Sequence, residues 1–363
     1  MQLPNIKAAE VAGKTVFLRA DVDVPLSEGR EIEDDTRLKA WFPTLEYLLN
    51  KRAKVIIGGH LGRPHKKCDM WDTGCHLQVE IDKFGLEPVA KWLSKVSSIK
   101  YQVSSIGGFT GWKFADNLFL LENLRFNKEE SEYPDSTQGE EFSKKLASLA
   151  DIYVNDCFAT SHRNHASVVG VAKLLPHFAG FRLQEEIKVL SEILKAPKRP
   201  FTVVVGGAKL ETKLPLLSKM HGVADYLLVG GKLVEDKETL IKLQSIESKA
   251  IVLIADFAEG GEDITEYSLD NFLEIIERSK TVIWNGPMGK IQNSGVRVHN
   301  SSTKLAEGIL KSKAYSVVGG GDTLGFLSEM GLLNKFSFYS TGGGAMLSFL
   351  SGEKLPGLEV LMN

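Results

Sequence analysis

The sequence predicts an α/β protein with two mainly parallel sheets in two domains. Three observations carry this. Short apolar runs alternate with amphipathic stretches along the 363 residues, the pattern of successive βα units. Several runs are almost wholly apolar, as strands covered on both faces must be. The runs are also too many for one open sheet, so two sheets are expected.

In order, the candidate strands are residues 15–21, 53–60, 118–124, 152–157, 201–207, 226–231, 250–257, 281–286, 315–321 and 336–343. After Asp34-Asp35-Thr36, the spacing of Leu38, Phe42, Leu45, Leu48 and Leu49 predicts an amphipathic helix with an acidic cap. Residues 184–194 read as another helix, and Ala196-Pro197-Lys198-Arg199-Pro200 breaks it before a new strand, which places the domain boundary within 183–200.

Composition excludes several classes. A hydrophobic share of 43% and a charged share of 25% suit an ordinary globular chain. A net charge of -2 gives no reason to expect nucleic acid or an acidic membrane as partner. Cys68, Cys75 and Cys157 form no disulfide framework and fit a reducing compartment. Residues 1–16 hold no signal-like apolar core, and no stretch is long enough to span a bilayer. A cytoplasmic enzyme is the expected class, and nothing demands a dimer, so a monomer is expected.

Open α/β sheets bind ligands beyond the C-terminal ends of their strands, and here those ends are polar. The first carries Asp21 and Asp23, the second His60 and Arg63, the third Arg125, and the fourth leads to His162 and Arg163. With Arg37, four arginines gather at one rim. Guanidinium matches phosphate and carboxylate bidentately, so a small multiply anionic substrate is expected. Surface ion pairing would account for any one of these arginines, but not for their clustering.

The second half has different chemistry. Gly319-Gly320-Gly321-Asp322-Thr323 and Gly342-Gly343-Gly344 each stand where a strand ends and a helix begins. Glycine there admits close backbone approach, and the helix N-terminus attracts anions. Asp322 adds a hard oxygen donor suited to Mg2+. Gly206-Gly207-Ala208-Lys209 follows a strand, with Lys213 expected one helical turn beyond Lys209 on the same face. The order of residues is not that of a Walker A loop. Trp284-Asn285-Gly286-Pro287 ends a further strand and is read as a wall of a nucleotide site.

Taken in this order, Asp34-Asp35-Thr36-Arg37, His60-Leu61-Gly62-Arg63-Pro64, Leu121 to Phe126, Tyr153-Val154-Asn155-Asp156, Gly206 to Lys209, Trp284 to Pro287, Gly319 to Thr323 and Ser340 to Ala345 closely resemble the phosphoglycerate kinase family across nearly the whole chain. The resemblance implies two Rossmann-like lobes with a hinged cleft: residues 1–185 with a returning segment of about 345–363, residues 186–344, and a hinge helix of about 184–196. It implies phosphoryl transfer between 1,3-bisphosphoglycerate and ADP, giving 3-phosphoglycerate and ATP, with Mg2+. Asp21, Asp23, Arg37, His60, Arg63, Arg125, His162 and Arg163 would hold phosphoglycerate. Gly207, Ala208, Lys209, Lys213, Gly230, Asn285, Pro287, Gln292, Gly321, Asp322 and Thr323 would hold the nucleotide, Asp322 through the metal. Arg37, Lys209, Gly343 and Gly344 would face the phosphoryl group.

Three departures from the family pattern stand out. Asp23 replaces an amide with an acceptor-only carboxylate. A glycine-rich stretch and helix that line the adenine pocket are missing, since Val229-Gly230-Gly231 runs directly into Lys232-Leu233-Val234. Gln292 stands where the family has the glutamate that holds the ribose. Weaker or less base-selective nucleotide binding is therefore expected. Two rival readings stay open: a related protein that binds phosphate ligands without efficient turnover, and a nicotinamide-dependent dehydrogenase, which the absence of Gly-x-Gly-x-x-Gly after the first strand disfavours. His65, Cys68, Cys75 and His76 match no common zinc spacing and are read as a variable loop.

Overall fold

A computed structural model of the chain describes residues 2–64, 82–245, 248–259, 261–289 and 300–363. It divides into two units, Met1–Glu186 with Leu355–Asn363, and Ile187–Lys354. The segment returning to the first unit thus begins at Leu355, later than the sequence reading set it. The helix Gly344–Ser351 stays in the second unit, where it packs on the helix Leu214–His221.

In the first unit the strands are β1 (Thr15–Ala20), β2 (Lys54–Gly58), β3 (Gln102–Ile106), β4 (Phe109–Ala115), β5 (Leu118–Leu121), β6 (Ile152–Asp156) and β7 (His177–Ala179). Their order is β3-β4-β5-β2-β1-β6-β7. The central strands are parallel and apolar, with Val16 opposite Val55 on one side and Ile152 on the other. The helix Thr36–Asn50 packs Leu38, Trp41, Leu45 and Leu48 into this core. The N-cap residue Asp35 makes no side-chain cap bond; Asp34, one residue earlier, accepts from the Thr36 N–H through Oδ1 at 2.7 Å. The neighbouring Asp35 instead accepts from the Trp92 indole and pairs with Lys39.

The second unit holds β8 (Phe201–Val205), β9 (Tyr226–Val229), β10 (Ile251–Ile254), β11 (Thr281–Asn285), β12 (Tyr315–Gly319) and β13 (Phe338–Ser340), in the order β10-β9-β8-β11-β12-β13, all parallel. Its core collects Val204, Leu228, Phe272, Trp284, Val318 and Phe336.

Sequence reasoning missed β3, β4 and β7. Strand β3 is an edge strand antiparallel to β4 and largely exposed, so it lacks the apolar run that marks a central strand. Strand β7 has only three residues. Among the described residues, no helix is long and apolar enough to cross a membrane.

Candidate functional site

Both sheets have a switch point, where chain connections leave in opposite directions and loops part to form a crevice. In the first sheet it lies between β1 and β6, in the second between β8 and β11. The described residues singled out from sequence follow the C-terminal ends of these strands and of β2, β5, β9, β12 and β13.

In the first unit, Arg37 extends from the first turn of its helix to 3.4 Å from Asp21 Oδ2 and 4.0 Å from Asp23 Oδ2. Asp21 is itself fixed, its carbonyl accepting from the Trp41 indole at 2.9 Å. Burial raises the pKa of the Asp21 carboxyl and the Arg37 guanidinium opposes the rise; reciprocally, Asp21 raises that of Arg37. Asp23 accepts from the Gly62 N–H at 2.8 Å, and its other oxygen lies 3.9 Å from His60 Nε2. Arg125 donates through one terminal nitrogen to the Gly62 carbonyl at 2.6 Å, while its second terminal nitrogen is buried and, among the described residues, has no hydrogen-bond partner. Burial, then repulsion from Arg163 and Arg19, pulls Arg125 down to about 10. Arg163 is likewise lowered, by burial and then by Arg63. Crowded guanidiniums with a spare buried donor favour an arriving anion. His162 is half-buried, directly ahead of Arg163 in the turn after β6.

The sequence analysis overlooked what lies behind this rim. Arg19, the penultimate residue of β1, is fully buried. It donates to Ser167 Oγ at 2.9 Å, to the Ala20 carbonyl at 2.7 Å and to His60 Nδ1 at 2.9 Å. Ser167 in turn donates from its N–H and its hydroxyl to the buried Glu130, at 2.9 and 2.6 Å. The signal that could have found Arg19 is a charge inside the apolar run Val16-Phe17-Leu18-Arg19-Ala20. A buried charge survives only with partners.

In the second unit the turns after β8, β9 and β11 interlock through backbone. The Gly206 N–H donates to the Asn285 carbonyl at 2.9 Å, Gly207 to Pro287 at 2.8 Å, and Leu233 to Gly207 at 3.2 Å. Trp284 does not wall a ligand site. It is buried in the core, and its indole ties down the Gly286 carbonyl at 2.8 Å.

The placement of the two lysines also corrects the sequence reading. The helix begins only at Leu214, because Pro215 suits its first turn and the Leu210 carbonyl closes a turn on Lys213 and Leu214. Lys209 and Lys213 therefore do not share a helix face. Lys209 is exposed in the loop beside Ala208, whereas Lys213 is buried and donates to Asn285 Oδ1. Burial lowers Lys213 to about 8, and Asp322 opposes this.

The two glycine turns do lead into helices, Gly321–Glu329 and Gly344–Ser351. Gly320 and Gly343 stand just before them at φ values of 99° and 51°, a backbone region that costs other residues. Asp322 is exposed on the first turn, and Thr323 Oγ1 accepts from the Gly286 N–H at 3.1 Å. Among the described residues, no group of three His, Cys, Asp or Glu could cage a metal ion. One exposed carboxylate beside glycine-rich helix N-termini fits a Mg2+ that arrives on nucleotide phosphates. Strand β9 passes through Gly230 into a short helix, Gly231–Glu235, and then the helix Lys237–Ser245. Gln292 and the quartet His65, Cys68, Cys75 and His76 lie outside the described residues.

Comparison with known proteins shows the family. The family model for phosphoglycerate kinase matches residues 6–253 and 233–353. The phosphoglycerate kinase of Leptospira biflexa is 37% identical over 411 aligned positions, covering 100% of this chain and 99% of the relative. That of Desulforudis audaxviator is 34% identical, with 99% of each chain covered. Among solved structures, phosphoglycerate kinase from Pyrococcus horikoshii superposes with a TM-score of 0.78 at 27% identity, covering 99% of this chain and 98% of that one. The Coxiella burnetii enzyme gives 0.75 at 29% identity, with 99% of each chain covered.

Proposed function

The chain belongs to the phosphoglycerate kinase family, and on that premise we propose that it transfers a phosphoryl group reversibly between 1,3-bisphosphoglycerate and ADP, giving 3-phosphoglycerate and ATP. What supports this reading most is one cluster of anion-compatible groups on each sheet, of complementary construction. The first is a crowd of guanidiniums on a buried polar support, suited to a small acid that carries a phosphate. The second is a set of glycine turns with one buried lysine and one exposed carboxylate, suited to a Mg-nucleotide.

The reaction needs no general base, because the attacking carboxylate or nucleotide phosphate is already ionised at neutral pH. It needs in-line positioning and neutralisation of spread negative charge. Asp21, Arg37, His60, Arg63, Arg125, His162 and Arg163 hold phosphoglycerate. The Gly207 and Ala208 backbone, Lys213, Asn285 and the Gly320–Thr323 turn hold the nucleotide phosphates. Arg37 and Lys209 meet the charge of the group in transfer, and Gly343 and Gly344 offer it backbone N–H groups. Mg2+ held by Asp322 would offset phosphate charge. Cytoplasmic location and a monomeric state complete the proposal.

The test is a coupled assay with 3-phosphoglycerate and MgATP. Turnover that Lys209→Ala abolishes supports the reading. Binding of both ligands without turnover would favour the phosphate-binding alternative, which Asp23 among the substrate arginines gives reason to test. Running the assay with MgADP, MgGDP and MgIDP in the reverse direction tests the expected loosening of base preference.

A further inference from the structure

We propose that Arg19 is a positioning residue that holds His60 in one tautomer, with a bare Nδ1 and a protonated Nε2 on the side of Asp23 at the substrate rim. Its bearing on substrate rests on the functional reading above; the tautomer itself does not. The guanidinium of Arg19 can only donate. Its terminal nitrogen is 2.9 Å from His60 Nδ1, so that ring nitrogen must be the acceptor and cannot carry a proton. The ring's proton then sits on Nε2, the nitrogen that lies 3.9 Å from Asp23 Oδ2 at the rim.

The alternative, an imidazolium, would set an N–H against the N–H of Arg19 inside a buried site. The charges around the ring also oppose it. Burial acts first, followed by Arg19, Arg125, His165 and Arg163, and together they hold His60 well below the ordinary histidine range. Asp23 is the carboxylate on the other side, and it faces the exposed edge. Arg19 cannot rotate away without loss, because its two other donor nitrogens are committed to Ser167 Oγ and the Ala20 carbonyl. The Ser167 hydroxyl donates to Glu130 and so presents its lone pair to Arg19. The chain Glu130, Ser167, Arg19, His60 thus orients one N–H donor without adding a positive charge. Charge at this rim comes from the arginines; His60 supplies direction.

The test is nitrogen-15 NMR of the full chain labelled at histidine, without ligand, from roughly pH 5.5 to 8, which spans the ordinary histidine value. The His60 signals are identified by their loss in His60→Gln. The expected result is a protonated Nε2 and a bare Nδ1 that do not titrate. A proton on Nδ1, or a ring titrating near its ordinary value of about 6.5, would overturn the proposal. Arg19→Met is expected to mix the tautomers and to raise KM for 3-phosphoglycerate roughly tenfold with a smaller change in kcat, the size of one oriented hydrogen bond. Arg19→Lys keeps the cation but not the fork, and serves if the methionine variant does not fold. Either variant with an unchanged ring would refute the role. A chain that shows the tautomer without any turnover supports the positioning and refutes the functional reading instead.

Discussion

On the proposed function, the two units meet the same problem, holding an anion, with different materials. The first unit uses side chains. Arg37, Arg125 and His60 are each fixed by a second group: Asp21, the Gly62 carbonyl and Arg19. The second unit relies mainly on backbone, with the turns at Gly206–Gly207 and Gly286–Pro287 tied to one another, to the Trp284 indole and to Thr323 at the start of the helix after Gly320. A small acid offers few atoms, so its recognition needs several directed donors. Nucleotide phosphates can be held by N–H groups at helix starts, which have no side-chain entropy to lose. Among these backbone turns the second unit sets one buried side-chain charge, Lys213.

Of the variants that probe this difference in materials, the largest effect is expected at that buried lysine. Lys213→Met should lower kcat/KM about a thousandfold, or roughly 4 kcal/mol, as loss of a positioned charge does. Binding of 3-phosphoglycerate to the first unit, read by calorimetry, should stay near the wild-type value. Equal loss of both would break the division between the units.

The same substitution should raise stability. The folded-state pKa of Lys213 is about 8, below its unfolded value of 10.5. Its burial therefore costs stability fully below about pH 8, on the order of 3 kcal/mol. The cost shrinks as pH rises from the folded value towards the unfolded one, because there only the unfolded chain still holds the proton. Denaturant melts at pH 7 should favour Lys213→Met, with the gap closing above about pH 10. A gap independent of pH would show that packing, not charge, is responsible.

Next in size is Gly320→Ala. Positive φ should cost about 1–2 kcal/mol, and the new Cβ would lie 3.3 Å from the Asn285 amide nitrogen. Thermal unfolding and KM for MgATP should both worsen. Gly343→Ala meets open space and should show the backbone cost alone. If both variants behave as wild type, the backbone account of the second unit is wrong.

The smallest effect belongs to Asp23→Asn. The carboxylate is part-exposed and spread between Arg37, His60 and the Gly62 N–H. Removing its charge should lower KM for 3-phosphoglycerate about fivefold, close to the ~1 kcal/mol of a part-exposed ion pair, and less at high salt. A rise in KM would mean that Asp23 organises the arginines rather than competing with the substrate.

Much of this molecule was legible in its sequence. The βα alternation, the break at Ala196–Pro200 and the polar residues at strand ends are local signals. Periodicity, turn residues and strand ends depend on neighbours a few positions away, and the family motifs are contiguous. The interlocked turns of the second unit could be suspected from their glycines alone.

What only the tertiary structure decided is pairing and burial. Arg19 meets Ser167 across a separation of 148 residues and His60 across 41. No local pattern shows that a charge inside an apolar strand will find these partners. Lys209 and Lys213 look alike in sequence, yet one is exposed and the other meets Asn285 across 72 residues. Asp23 could have pointed to solvent, and instead lies against the Gly62 N–H and beside His60. The physical reason is common to all three. A residue's conformational preference is written by its neighbours in the chain, whereas its desolvation and its charge are set by groups that only the folded sheet brings near.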